Sequence, residues 1–267
     1  MDLSGGRNSK TSLAILEFYP KERKTFLLDI REGFEPDLGV TRDERLIQNL
    51  RELAPTLLAA NVPTSFPPCV TCQKKCPLPR NCHVPEVKWM REWSRRKLQH
   101  REWTPYTQRA IELWVRSEFI EHLPKEVRPD LDETLGGSKA PLTSRMNFLK
   151  RHLVGPEVLE VWPKISLLLL ARRLRIPKRV LVKVRDLEYG ASARQEILDT
   201  LCATSSLFIY EGDQRRLAES LGVFDAFLCA WVGLLHHLKL TEARPTKFPR
   251  RATWLTFPQV NEDSRLP

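Results

Sequence analysis

Between residues 55 and 85 the chain carries seven prolines and four cysteines. Proline fixes φ and removes a backbone donor, so neither a helix interior nor a central strand passes through such a stretch. Apart from the short apolar run at 57–62, regular structure is therefore expected on its two flanks, and any single core must be assembled from both. The expected organisation is an N-terminal part at 1–62, a Cys-rich insertion with a basic helix at 63–103, and the remainder of the main domain at 104–267.

The 267 residues have room for one large domain or two of about 150 residues. With 42% apolar and 28% charged residues the chain is globular in composition, and its net charge of +10 favours polyanionic partners. The longest apolar run, 227–235, is far short of the ~20 residues of a membrane span. No apolar stretch follows a basic start, so no secretory leader is expected. The expected location is the cytoplasm, where cysteines stay reduced and serve as thiols or metal ligands.

Two β-branched and aromatic runs, 11–19 and 25–31, are joined by the short polar link PKERK and predict an antiparallel pair. Thr41, with Glu44 three residues on, predicts the N-terminus of a helix over 41–53. Residues 57–62 read as a short buried strand. Helices are expected at 86–100, 104–123 and 143–153, with a polar loop at 124–140. EVLEVW at 157–162 reads as a strand, and Pro163 suits the first turn of a helix after it. Further helices are expected at 194–203, 214–221 and 224–240, the last being the most apolar, and an edge strand at 253–257. The stretch 4–11 superficially looks like a phosphate loop but lacks the glycine–lysine spacing, and a strand follows it, so a hairpin turn is expected there. His236 and His237 suit the C-terminal end of their helix.

Three carboxylates stand beside apolar neighbours: Asp2 before a glycine turn, Glu160 on the short strand, and Asp225 in the first turn of the apolar helix. Buried carboxylates are costly unless paired or bound to a cation. Brought together, they would suit Mg²⁺ or Mn²⁺ and phosphodiester hydrolysis. On the residues alone, Asp225 could equally cap its helix, Glu160 could face solvent, and Asp2 could be a loose terminal residue.

The order of elements resembles the ribonuclease H-like fold, and more narrowly the predicted RNase H-like nucleases, a largely uncharacterised prokaryotic group. The resemblance rests on DLSGGRNSKTSLAIL (2–16), ANVPTSFPPC (60–69), TPYTQRAIELW (104–114), PLTSRMNFL (141–149), EVWP (160–163) and FDAFLCAWVGLL (224–235). It implies an α/β architecture: a mixed sheet of about five strands with helices on both faces, plus a small metal-binding insertion. It matches Asp2, Glu160 and Asp225 to the acidic catalytic positions, and Arg109 and Glu112 to a polar pair on a middle helix. Asn61 stands where the family usually carries an acid. It can ligate only through its carbonyl, which points to a one-metal or a retired site. In the family the first strand begins several residues earlier than Met1 does here, so a start placed too far downstream is expected.

Cys69, Cys72, Cys76 and Cys82 form C-x2-C-x3-C-x5-C, with His83 adjacent as an alternative ligand. Four thiolates in a turn-rich segment suit a structural Zn²⁺. An iron–sulfur cluster is the competing reading and four unbound thiols the third. Cys202 and Cys229 read as buried core thiols. The segment 88–103 interleaves Lys88, Arg95 and Arg96 with Trp89, Trp93 and Trp103, a pattern that suits single-stranded nucleic acid or an ordinary half-buried helix. Residues 172–185 hold seven Lys/Arg and no acid. There Arg172, Arg173, Arg175, Lys178 and Arg179 are candidate phosphate contacts, or simply a solvated surface. The expected function is an RNase H-like protein acting on nucleic acid, by metal-dependent hydrolysis or as a non-catalytic binding or scaffold protein. An iron–sulfur sensor is the third class.

Overall fold

The computed structural model describes residues 1–5, 10–37, 39–98, 103–131, 133–259 and 266. The chain is α/β and divides into two compact units. The first comprises Met1–Val62, Leu149–Glu242 and Thr256–Pro267, and the second Pro63–Phe148 and Ala243–Leu255. The first division falls between Val62 and Pro63, inside the proline-rich stretch. The second unit runs beyond the cysteine segment and takes in a late excursion of the chain.

In the first unit, β1 (Ser12–Tyr19) and β2 (Lys24–Glu32) form the expected antiparallel pair, with a bulge between Ile15 and Leu16. β5 (Leu207–Phe208), too short to show in the sequence, pairs parallel to β2. β3 (Leu57–Ala60) and β4 (Glu157–Glu160) pair parallel to each other. Among the described residues the five strands are thus a mixed sheet of three, in the order β1-β2-β5, and a separate sheet of two, rather than one sheet of about five, because only Met1 and Asp2 link the two sheets. Asp2 exchanges both backbone bonds with Ser12 on β1, at 2.9 and 3.0 Å. Met1 donates its terminal nitrogen to the Ala59 carbonyl at 2.7 Å and accepts from the Asn61 amide at 2.9 Å.

Helix α1 (Arg42–Leu53) begins as its sequence dictates. Thr41 caps it, and the Glu44 carboxylate reaches back to the Thr41 amide at 2.7 Å. α5 (Pro163–Arg173) starts on Pro163, also as expected. The other helices of this unit are α6 (Lys178–Leu181), α7 (Gly190–Thr204), α8 (Glu211–Glu219) and α9 (Leu221–His237). α9 is apolar on nearly every side and is therefore the core of the unit. Phe224, Phe227, Trp231 and Leu235 pack into a cluster with α5, α7 and β2, while Cys229 and Val232 pack on Ala59, Leu159 and Val161. Gly233 permits the close approach, since a Cβ there would stand 2.8 Å from Leu57 Cδ2. Cys229 is buried as expected, and Cys202 is half-buried.

In the second unit, α2 (Pro85–Lys97) and α3 (Ala110–Glu118) are followed by α4 (Lys139–Lys150), which ends in the first. The helix expected over 104–123 is shorter at both ends. Thr104–Gln108 closes into turns, with the Thr107 and Gln108 amides both on the Thr104 carbonyl, and a 3-10 turn follows at Ile120–His122. The edge strand expected at 253–257 is not a strand. Its Thr256 amide instead bonds the Glu160 carbonyl at 3.0 Å.

Candidate functional site

Asp2, Asn61, Glu160 and Asp225 all belong to the first unit. Asp2 follows the Met1 pairing to β3, Asn61 directly follows β3, and Glu160 ends β4 beside Ala60. Asp225 is the fifth residue of α9, not a capping residue of its first turn. Ser220 caps that helix by accepting from the Val223 amide. Asp2 and Asn61 meet directly, the Asn61 Nδ2 donating to Asp2 Oδ1 at 2.7 Å. The start of α9 lies against the same carboxylate, for a Cβ at Gly222 would stand 3.4 Å from Asp2 Oδ2. Two of the plain alternatives fail here. Glu160 is buried and accepts from the Trp162 indole at 3.0 Å, and Asp2 is held in a β-bridge.

The residue that sequence reasoning passed over is Arg185. Its Nη2 donates to both Asp225 oxygens, at 2.8 and 2.9 Å, and Asp225 is only 5% exposed. Beside it, the buried Arg194 donates to the carbonyls of Ala218 and Val184, both at 2.6 Å, and to that of Glu219 at 3.2 Å. Burial lowers the Arg194 pKa, and the Asp225 charge opposes this. Gly190 makes room for that guanidinium, since a Cβ there would come within 2.7 Å of its Nη1. Arg185 was visible only as the last member of a basic run. Its partner lies 40 positions away, a separation that no periodicity reports.

The donor chemistry of Asp2, Glu160 and Asp225 suits a hard divalent cation, but their placement does not. A guanidinium sits on Asp225, an amide N–H on Asp2 and an indole N–H on Glu160. Among the described residues no three His, Cys, Asp or Glu side chains are grouped to hold a metal ion. As arranged, the residues do not fit a two-metal centre.

In the second unit, Arg109 and Glu112 form the polar pair at the head of α3, both almost wholly buried. Glu112 accepts from the Arg109 Nε at 3.0 Å, from its backbone amide at 3.1 Å, and from the Thr134 hydroxyl. Burial pushes the Glu112 carboxyl pKa up, against the pull of Arg109. Glu86 accepts from the Ala110 amide at 3.2 Å and so covers the exposed start of the helix.

Cys69, Cys72, Cys76 and Cys82 share the loop before α2. Cys82 is buried, Cys69 is half-buried, and Cys72, Cys76 and His83 are exposed. Burial raises the Cys69 thiol pKa, and the charges of Cys82, Cys76 and Cys72 each raise it further. Arg91 braces the loop by donating to the carbonyls of Pro79, Arg80 and Cys82 at 3.0, 2.7 and 3.2 Å. Among the described residues the thiols are not grouped to hold a metal ion.

On α2, Lys88, Arg95 and Arg96 are exposed. Trp89 and Trp93 stack on each other at 4.7 Å, and their indoles donate to the Lys247 carbonyl and the Ser117 hydroxyl. Phe248 closes on Trp89 edge-on at 5.2 Å. These rings serve packing within the unit. The basic stretch expected to run on from α2 includes residues 99–102, which lie outside the described residues, as do 6–9 of the expected hairpin turn. Of the second patch, Arg172, Arg175, Lys178 and Arg179 are exposed and Arg173 is half-buried. Arg179 stands 3.7 Å from Glu196.

Among the described residues no single helix is long and apolar enough to cross a membrane. Comparison with protein-family models, with curated proteins and with solved structures finds no match for this chain.

Proposed function

We propose that the protein binds nucleic acid as a member of the ribonuclease H-like class, with a carboxylate edge whose charge is met by its own side chains. The observation that carries this reading is the Arg185 fork on Asp225. A guanidinium stands where a catalytic cation would be needed, and Asn61 brings no charge to Asp2. The class assignment is supported by the Met1–Asp2 pairing, which lines the strands up as β5-β2-β1, the N-terminal residues, β3, β4. The exposed basic residues from Arg172 to Arg179, and Lys88, Arg95 and Arg96, supply phosphate contacts that carry affinity without reading sequence.

In the same reading the cysteine loop folds around its ion: Zn²⁺ would gather the thiols of Cys69, Cys72, Cys76 and Cys82, with His83 in reserve. Metal analysis of the purified protein reads this directly, and visible absorbance under anaerobic conditions identifies an iron–sulfur cluster instead.

The deciding experiment measures binding to, and cleavage of, single-stranded and duplex DNA and RNA with Mg²⁺ or Mn²⁺, for the native chain and Asp225→Asn. Salt-dependent binding without cleavage is expected. Divalent-dependent cleavage that Asp225→Asn abolishes establishes hydrolysis instead, with Arg185 displaced by the cation.

A further inference from the structure

The three-stranded sheet of the first unit turns one face to the core and carries a row of aromatic rings on the other. Phe26 stands opposite Glu17 of β1 and Phe208 of β5, and Tyr19 stands opposite Lys24. Side chains alternate along a strand, so these residues share a face, and Leu27 and Leu207 lie on the other, buried in the core. Tyr19 meets Phe26 edge-on, with ring centroids 5.5 Å apart, Phe26 meets Phe208 at 5.7 Å, and Phe208 meets Tyr210 edge-on at 5.0 Å. Phe26 is half-buried, but Tyr19 is 40% exposed, Phe208 46% and Tyr210 65%.

Single exposed apolar side chains are ordinary on a protein surface, whereas a contiguous exposed patch marks a binding face. An edge-on contact uses at most one face of a ring, so the row keeps ring faces open to a flat ligand. The charge beside it is chiefly positive. Lys21, Arg23 and Lys24, in and after the turn between β1 and β2, are exposed, and among the described residues none of them enters an ion pair. Of the nearby acids, Glu17 accepts from the Tyr19 hydroxyl at 2.8 Å, Glu211 is paired with Arg215 at 3.2 Å, and Asp213 with Arg216 at 3.5 Å. Among the described residues of the turn, Glu22 alone offsets the three cations. Open ring faces beside unpaired cations complement bases and phosphates.

We propose that this row is a stacking platform for single-stranded nucleic acid, in which unpaired bases lie on the rings and the cations of the turn hold the phosphates. The inference rests on the nucleic-acid reading above and adds to it the strandedness of the ligand. Every base has a π-face, so the rings accept a strand without reading its sequence. A duplex keeps its bases stacked on one another and offers the rings nothing. The platform lies at the far end of β1 from the carboxylate edge. Asp2 bridges to Ser12, and Tyr19 stands seven positions further on, roughly 23 Å at strand spacing. Binding here is therefore separate from any chemistry at Asp2.

The test titrates the full chain with oligo-dT, oligo-U and a duplex of the same length, and compares Phe208→Ala, Tyr210→Ala and Tyr210→Trp. Tyr210 lies outside β5 and is the most exposed ring of the row, so its replacement leaves the sheet intact. Each alanine variant should bind single strands roughly tenfold more weakly, the loss of one stacked base, with duplex affinity and the salt slope unchanged. Tyr210→Trp should bind as tightly as the native chain. Ultraviolet crosslinks from the bound strand should map to the peptides that hold Tyr19 and Phe208. Alanine variants that bind single strands as the native chain does, or that lose duplex binding equally, overturn the platform and leave the nucleic-acid reading standing. A native chain that binds duplex alone does the same, and one that binds neither form overturns both. A native dimer that Tyr210→Ala separates, with single-strand affinity kept, makes the face an interface between copies and overturns the proposal.

Discussion

Replacing Glu112 by leucine tests the most deeply buried ion pair of the second unit. Arg109 is 2% exposed and Glu112 is 1% exposed. Away from Glu112, the guanidinium meets the Ser65 hydroxyl through its Nη1 at 3.3 Å, and that hydroxyl already accepts from Thr253 at 2.7 Å. Glu112→Leu removes one anion from a buried cation that Glu86 also faces, and frees the Thr134 hydroxyl, so a loss of about 3–5 kcal/mol is the upper expectation. Against a total of about 5–15 kcal/mol for a domain, that is from about a fifth to all of the unit's stability. The double variant Arg109→Met with Glu112→Leu removes both charges and should recover most of the loss, since apolar replacement of a whole buried pair is often neutral. Urea unfolding followed by tryptophan fluorescence reads the right unit, because five of the seven tryptophans lie in it. The two single variants and the double close a mutant cycle with a coupling of a few kcal/mol, roughly at the upper end of contacting pairs. A single variant costing under about 1 kcal/mol, or a double variant worse than either single, would refute the reasoning.

Four further outcomes are expected. Arg185→Met should cost about 1.5–3 kcal/mol in the first unit, by loss of charge-assisted bonds to Asp225, and should raise Mn²⁺ binding measured by electron paramagnetic resonance. Unchanged Mn²⁺ binding would show that Arg185 is not what keeps a cation away. Thr41→Ala should lower stability by about 0.5–2 kcal/mol through loss of the α1 cap, read by thermal unfolding. The Thr41 amide and hydroxyl hold the Glu44 carboxyl below its ordinary 4.5. A lowered carboxylate stabilises above its unfolded pKa and loses that contribution as pH falls through the folded one, so Glu44→Gln should flatten the acid limb of the unfolding profile below that value. Reversing charge at Arg172 and Arg173 should weaken nucleic-acid binding and shallow its salt dependence by nearly two units of slope, roughly 0.9 for each phosphate no longer neutralised.

Local chemistry was legible in the sequence. The hairpin of β1 and β2, the Thr41–Glu44 cap, the Pro163 helix start and the apolar helix α9 each depend on neighbours within a few residues, and the structure has all four. Asp2, Glu160 and Asp225 could be named because acids beside apolar runs are costly and therefore conspicuous, whereas Asn61 was named only through the family resemblance. Their partners could not be. Arg185 reaches Asp225 and Trp162 holds Glu160 through side-chain geometry that only the packed elements set. Likewise Trp89 and Trp93 look the same in sequence whether they stack on bases or, as here, on each other.

The sequence by itself determined the longer elements, β1, β2, α1, α5 and α9 among them, and that α9 is apolar enough to be interior, since period and composition act over short distances; it did not show the two-residue β5, and it suggested a strand at 253–257 that does not form. Only the tertiary structure decided that Met1 and Asp2 lie between β1 and β3, that a guanidinium faces Asp225, and that the strands stand as three and two. Those outcomes follow from hydrogen bonds and burial between residues far apart in the chain, where pairing energy depends on approach and angle rather than on residue type.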